Sequence, residues 1–255
     1  VSAAQLLLCG AVAEISLENP GRLNALTVGM LDQIAAHCDR IDRDPGLRVV
    51  LVTASGTRAF RTGADIAAWG DLPPDVFARV WVRDGHRVFD RLAQLSKPTI
   101  AVLQGHAFGG GLELAAACDA RVMAPGATLA LPESGVGIVP GWSGTQRLLR
   151  LLPEPVIKEM ALFGRRLSAD RALALGFVAE VADDPFAAAV EMADRMLAAS
   201  SRAVEVAKYM IHAGAGEDRS AMIEALGAGM SAASADRSEG VAAFRAKRTP
   251  VFPGV

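Results

Sequence analysis

Cysteine is scarce. Cys9, Cys38 and Cys118 are odd in number, far apart and set among apolar neighbours. With no CxxC pair and no Cys/His cluster, a disulfide framework and a zinc site are excluded, and reduced core thiols follow. No apolar run reaches the length of a membrane span. The opening "VSAAQLLLCGAVAEISLENP" shows neither a basic n-region nor a clear cleavage site, so the expectation is a soluble, cytoplasmic protein. Charge of one sign is lacking too: 26 Lys and Arg against 28 Asp and Glu leave a net −2. No polyanion-binding surface follows, and any anionic ligand must be held by a few local cations. Low-complexity tracts and fixed-period repeats are also absent.

What is present is an aliphatic chain of 255 residues, 51% hydrophobic, enough for a large packed core. Residues 5–17 read as strand material broken by Gly10. Residues 27–42 carry the helical spacing Met30, Leu31, Ile34, Ala35, Cys38, with Thr27 as N-cap. "LRVVLVTAS" is β-rich, "GTRAFRTGADI" reads as a glycine-bearing loop, and residues 73–95 as a helix entered through two prolines. "KPTIAVLQG" is a buried strand leading to a glycine loop and a short helix, 110–117. "DARVMA" and "TLALPE" are two further strands, and a helix begins near Ser143. Strands alternating with helices predict an α/β core over residues 1–195, followed by a helical region, 196–255.

"GHAFGGGLELAAACD", residues 105–119, carries the chemistry or hides it. It lacks the GK[ST] of a Walker loop and misses GxGxxG, and "GWSGT" is not GxSxG. Nucleotide hydrolysis, a Rossmann cofactor and a hydrolase serine are thereby disfavoured. Three glycines cost a helix roughly 1 kcal/mol each against alanine. Either they allow close packing of helix on strand, or they bare the N–H groups at the helix start to a substrate oxygen. Glu113 lies one turn in among alanines and leucines, where a carboxylate is expensive unless paired or functional. Glu133 follows "TLALP" at a strand end. Two carboxylates at one oxyanion site divide base and acid work, but spacing alone does not bring them together.

Six fragments in register resemble the enoyl-CoA hydratase/isomerase (crotonase) family over nearly the whole chain: "NPGRLNAL", "TRAFRTGADI", "KPTIAVLQGHAFGGGLELAAACD", "PESGVGIVPGWSGTQRLLRLLP", "RRLSADRALALGFVAEV" and "EGVAAFRAKRTPVF". The resemblance implies a spiral core of repeated ββα units (the ClpP/crotonase fold). It also implies a C-terminal helical region used for trimers, often paired into hexamers. It assigns the oxyanion N–H groups to Ala64 and Gly110, catalysis to Glu113 and Glu133, and a water-holding N–H to Gly141. Glu113 would act as base on a shared water while Glu133 protonates the α-carbon. The implied reaction is syn addition of water to a trans-2-enoyl-CoA, giving a 3-hydroxyacyl-CoA. No metal or redox cofactor is needed, coenzyme A arriving as part of the substrate. A Δ3-Δ2-enoyl-CoA isomerase and a non-catalytic acyl-CoA-binding scaffold are the alternatives.

For the coenzyme A portion, Arg22, Arg58, Arg61, Thr62, Asp65 and Ile66 lie on the loops that the resemblance places beside the nucleotide, and Lys247 and Arg248 lie in the C-terminal segment. An arginine fork suits phosphates, although each one singly could be solvated surface. Three positions depart from the family pattern. Trp142 stands where many hydratases have a small residue, and it either caps the acyl pocket or packs under the next helix. Ser143 replaces a common glycine, and Thr62 a common alanine. His106 reads as structural, and His37, His86 and His212 as helix residues.

Overall fold

The apolar stretches of the first two-thirds become the parallel centre of a six-stranded sheet. The computed structural model describes residues 2–63, 65–217 and 219–255, leaving aside the side chains of Ile66, Ala67, Arg219 and Ser220. The strands are β1 (Ala3–Cys9), β2 (Val12–Glu18), β3 (Val49–Ala54), β4 (Ala59–Thr62), β5 (Thr99–Leu103), β6 (His106–Phe108), β7 (Ala120–Met123), β8 (Thr128–Ala130), β9 (Leu167–Ser168) and β10 (Glu180–Val181). The large sheet runs β1-β2-β3-β5-β7-β10 and the small one β4-β6-β8-β9. Gly10, at φ +57°, opens the two-residue loop that pairs β1 with β2 antiparallel. From β2 to β10 every pairing in the large sheet is parallel.

Each turn of the chain lays one strand in the large sheet and the next in the small one: β3 then β4, β5 then β6, β7 then β8. The small sheet therefore repeats the parallel order of the large one at β4-β6-β8. Strand β5 is buried at all five residues, as a strand covered on both faces must be. The helix Pro185–Leu197 covers one side through Ala188, Ala189 and Ala193. The other side meets the main core, where Phe60, Phe89 and Phe177 are fully buried, each stabilising by roughly 1.5–3 kcal/mol.

The expected helix at 27–42 is Val28–Arg43, and the Thr27 hydroxyl accepts from the Met30 N–H at 3.3 Å. Two expectations need correction. The stretch read as a loop at 56–66 contains β4, and the glycine loop after β5 contains β6. Four and three residues are too few to show a period of two, and both are made strands by their neighbours in the small sheet. The helix over 73–95 is three consecutive pieces, Pro74–Val76, a π-helical turn Phe77–Val82, and Arg83–Ala93.

The chain divides into two compact units, Val1–Ser201 and Arg202–Val255. The division falls after the helix Pro185–Leu197 because that helix belongs to the large sheet's cover. The second unit takes up the helix Ser201–Gly214 from its second residue onward, then the helices Arg219–Ala232 and Ala235–Ala246. Among the described residues no helix is long and apolar enough to cross a membrane.

Candidate active site

Strands β4, β6 and β8 end side by side, and the residues just past their carboxyl ends are Gly63, Gly109 and the Pro132–Glu133 step. Loops at that edge of a parallel sheet are where ligands gather. Gly63 and Gly109 lie abreast: a Cβ on Gly109 would stand 3.8 Å from the Gly63 Cα and 2.6 Å from Glu133 Oε1. Gly109 also has φ +52° and ψ −125°, a backbone state for glycine alone. A Cβ on Gly111 would fall on the Arg61 carbonyl oxygen, and one on Gly110 would meet Arg61 Nη2 at 2.8 Å. The close-packing reading of the glycine run is what these approaches show. The close packing it permits is what sets the start of the helix Gly110–Ala116 against β4.

A cavity of about 190 Å³ opens at this edge. Gly63, Gly109 and Gly110 border it, with Glu113 and Glu133, and so do Thr62, Gly141 and Trp142. Spacing did not bring the two glutamates together, but the stacking of β6 on β8 does. Ala64 lies outside the described residues, as does the Ile66 side chain. The aromatic wall is Trp69, Phe77 and Trp81, so all three tryptophans of the chain meet at one cavity. No sequence signal announces Phe77 and Trp81. They reach the cavity from the π-helical turn, a form common at functional sites.

Glu113 is 3% exposed. Its Oε1 accepts the N–H groups of Trp142 and Gly144, both at 2.8 Å. Burial raises its pKa, while those two amides, and then the charges of Arg61 and Arg147, oppose the rise. Glu133 is pushed up to about 7, first by burial, with the Glu113 charge adding and its own backbone N–H opposing. Its Oε2 is buried without a hydrogen-bond partner among the described residues. Two carboxylates on one cavity therefore have different environments.

The loop that feeds Glu113 depends on Ser143, held at φ +77°. That left-handed backbone is one glycine adopts most readily, so serine stands here at a position suited to glycine. It turns the amides on either side of Ser143 onto one carboxylate oxygen. The Ser143 hydroxyl meets His86 Nδ1 at 2.9 Å, His86 Nε2 meets Asp90 at 3.1 Å, and Asp90 meets Arg147 at 2.7 Å. The order imitates a nucleophile relay, but neither Ser143 nor His86 borders the cavity. The chain of bonds pins the loop.

Trp142 borders the cavity and is buried, with its indole N–H on the Trp81 carbonyl at 3.3 Å and its ring 5.3 Å from that of Phe89 on the helix Arg83–Ala93. Gly85 leaves room for it, since a Cβ there would overlap the indole. Gly85→Ala is expected to cost about 1–3 kcal/mol by overpacking, read as a lowered urea midpoint with an unchanged slope.

The cations sort themselves differently from the expectation. Arg58 and Thr62 border a neighbouring groove of about 390 Å³ with Gln104, His106 and Phe108. Arg166, missed in the sequence, stacks over the Phe108 ring at 5.0 Å. Arg22 holds Asp65 at 2.7 and 2.9 Å, so these two candidates engage one another. Lys247 follows the helix Ala235–Ala246 in the second unit, at φ +51°. Arg61 is the correction: it is no surface cation for a phosphate but is fully buried, because β4 points its side chain inward. His106 is structural, accepting the Thr128 N–H at 3.2 Å and stacking on Phe108.

A small sheet, parallel from β4 to β8, whose edge joins a glycine-started helix to two buried carboxylates defines an enzyme of proton-transfer chemistry. The chain belongs to the enoyl-CoA hydratase/isomerase family, whose model matches residues 9–254, and its fold is the crotonase fold. It is 34% identical over 245 residues to a crotonyl-CoA hydratase of Syntrophomonas wolfei, covering 94% of each chain. Among solved structures it is similar to an enoyl-CoA hydratase from Bacillus anthracis, with TM-score 0.81, 32% identity and 99% of both chains covered. It is also similar to DspI of Pseudomonas aeruginosa, with TM-score 0.82, 30% identity, and 98% of this chain and 96% of that one covered.

Proposed function

We propose that this protein adds water to the double bond of a trans-2-enoyl-CoA, yielding a 3-hydroxyacyl-CoA. The observation that carries the reading is a pair of buried carboxylates with different hydrogen-bond partners on one cavity. Glu113, whose Oε1 accepts two amides in the fields of Arg61 and Arg147, serves as the base, and burial, which raises its pKa, strengthens it for that task. Glu133, pushed up to about 7 by burial, is still protonated in about half of the molecules at neutral pH and so has a proton to give.

In the step we envisage, Glu113 takes a proton from a water that the Gly141 N–H helps to hold, and the oxygen bonds to the β-carbon. The π electrons move through the α-carbon to the thioester oxygen, where the N–H groups of Ala64 and Gly110 hold the charge. Glu133 then protonates the α-carbon. Charge at such an oxygen is stabilised most by donors that need no reorganisation as it develops. No cofactor enters, because water and substrate supply every atom and no electron leaves the pair.

The groove beside Thr62 and Phe108 suits the coenzyme A portion, with Arg58 for phosphate. We read the protein as cytoplasmic, in keeping with three free thiols. We also read it as a homotrimer or hexamer, since Ile211, Met230 and Phe244 of the second unit are exposed; sedimentation velocity tests this.

The test of function is a turnover screen of 2-enoyl-CoA thioesters from crotonyl to branched, long-chain and aromatic. Hydration of at least one is expected, and none across the panel would end the proposal. Trp142→Ala is expected to shift preference by about tenfold or more toward bulkier acyl groups, a methylene-sized change in such a pocket being worth roughly 10–200-fold. An unchanged preference would show that Trp142 does not bound the acyl chain.

A further inference from the structure

We propose that Arg61 is a positioning residue, a buried guanidinium that ties the two glycine loops together behind the oxyanion site and sets their spacing. The proposal rests on the hydration reading and goes beyond it to a residue that touches no substrate.

Burying a guanidinium is costly unless its donors are met. Arg61 is fully buried, and burial lowers its pKa to about 9 against the opposing pull of Glu113. Its partners are few and pointed. Nη1 donates to the Gly110 carbonyl at 2.7 Å and Nε to the Gly63 carbonyl at 3.2 Å. Nη2 has no hydrogen-bond partner among the described residues. The guanidinium carbon lies 5.4 and 5.2 Å from the ring centres of Phe89 and Trp142, which are themselves 5.3 Å apart, so it sits beside the aromatic pair. An arginine serving the core alone needs no such choice of acceptors, whereas these two carbonyls belong one to each glycine loop.

The acceptors matter chemically. The Gly63 carbonyl carbon is bonded to the nitrogen of residue 64, so drawing electron density to that oxygen makes the same peptide's N–H a stronger donor. A rigid fork reaches both loops from one charge, which a lysine's point ammonium cannot do. Glu113 feels the charge as well. The ionisable groups facing it are Arg61 from β4, Arg147 from the helix Gly144–Leu151, and Glu133 from the loop after β8. Loss of Arg61 leaves Arg147 as the remaining cation and moves the ionisation of Glu113 to higher pH.

The test compares the full-length protein with Arg61→Met and Arg61→Lys, using the best 2-enoyl-CoA of the screen and its saturated counterpart carrying a ¹³C carbonyl. Binding of the saturated thioester is read by tryptophan quenching, and carbonyl polarisation by isotope-edited infrared. Arg61→Met is expected to bind the saturated thioester within a few-fold of the parent. Its kcat should drop about 10²-fold, the scale of a misplaced catalytic geometry, and most of the carbonyl downshift should vanish. The acid limb of its kcat/KM profile should move up in pH. Arg61→Lys should keep the acid limb and still lose kcat.

Parental kcat and carbonyl frequency in Arg61→Met would overturn the proposal. So would a loss confined to thermal stability and active fraction, since a merely structural arginine predicts only that. If Arg61→Met does not fold, Arg61→Lys decides: full kcat with the full downshift overturns the proposal, and loss of both upholds it. A parent that shifts the carbonyl but hydrates nothing ends the hydration reading alone, and the clamp then stands or falls on the variants' carbonyl shift. A parent with neither ends both.

Discussion

Glu113→Gln should lower the hydration kcat by about 10³-fold, within the 10²–10⁴ that a positioned general base contributes, with little change in KM. The substitution isolates the proton. Both amides at Glu113 use the same oxygen, Oε1, and a glutamine carbonyl can accept both in its place. The loop of Trp142, Ser143 and Gly144 therefore keeps its anchor, while the other position becomes an NH₂ that cannot take a proton from water. The same variant separates the two activities of the family. If a 3-enoyl-CoA is isomerised at full rate by Glu113→Gln, the work belongs to Glu133, and the isomerase reading replaces the hydratase one. Hydration retained above a tenth of the parent's would remove Glu113 from the mechanism.

Glu133→Gln should reduce hydration by about 10²–10³-fold, because the α-carbon loses its proton donor. It should also leave a mark on stability that a surface glutamate would not. Glu133 has a folded pKa of about 7 against an ordinary 4.5. Below about pH 4.5 the carboxyl is protonated in both folded and unfolded chains, and its charge costs nothing. As pH rises from there to 7 the unfolded chain ionises first, so stability falls, and it levels off above 7 with a loss of at most ~3 kcal/mol. Glutamine carries no charge at any pH and escapes that loss. Relative to the parent, the variant should therefore gain unfolding free energy between about pH 4.5 and about pH 8.5, as measured by urea titration at each. An identical difference at both would show Glu133 to be an ordinary exposed acid.

Much of the frame was legible in the residues. The Val28–Arg43 helix has the helical period and a capping threonine, and the central strands are runs of Val, Ile and Ala bounded by turns. These signals are local. The small sheet was not legible, because β4 and β6 owe their conformation to pairing with each other and β8 rather than to any pattern of their own. The site followed the same division. Glycine and glutamate marked its first wall, and the resemblance joined Glu113 to Glu133. Arg61 looked like a surface cation because a strand of four residues does not reveal which way it faces. Phe77 and Trp81 were hidden because a π turn shifts the face a helix presents. The Ser143–His86–Asp90 chain was hidden because Ser143 meets His86 and Asp90, one turn apart on one helix, only through the packing around Gly85 and Trp142.

The carboxyl ends of β4, β6 and β8 come from three successive coils of the chain, and each delivers one piece of the site. Nothing catalytic is assembled by one coil or by two, so a half-folded molecule has no weak version of the activity. Evolution could accordingly lengthen the loops outside these coils at small cost, but sliding a single short strand by one residue would turn its side chains over and dismantle the whole site at once.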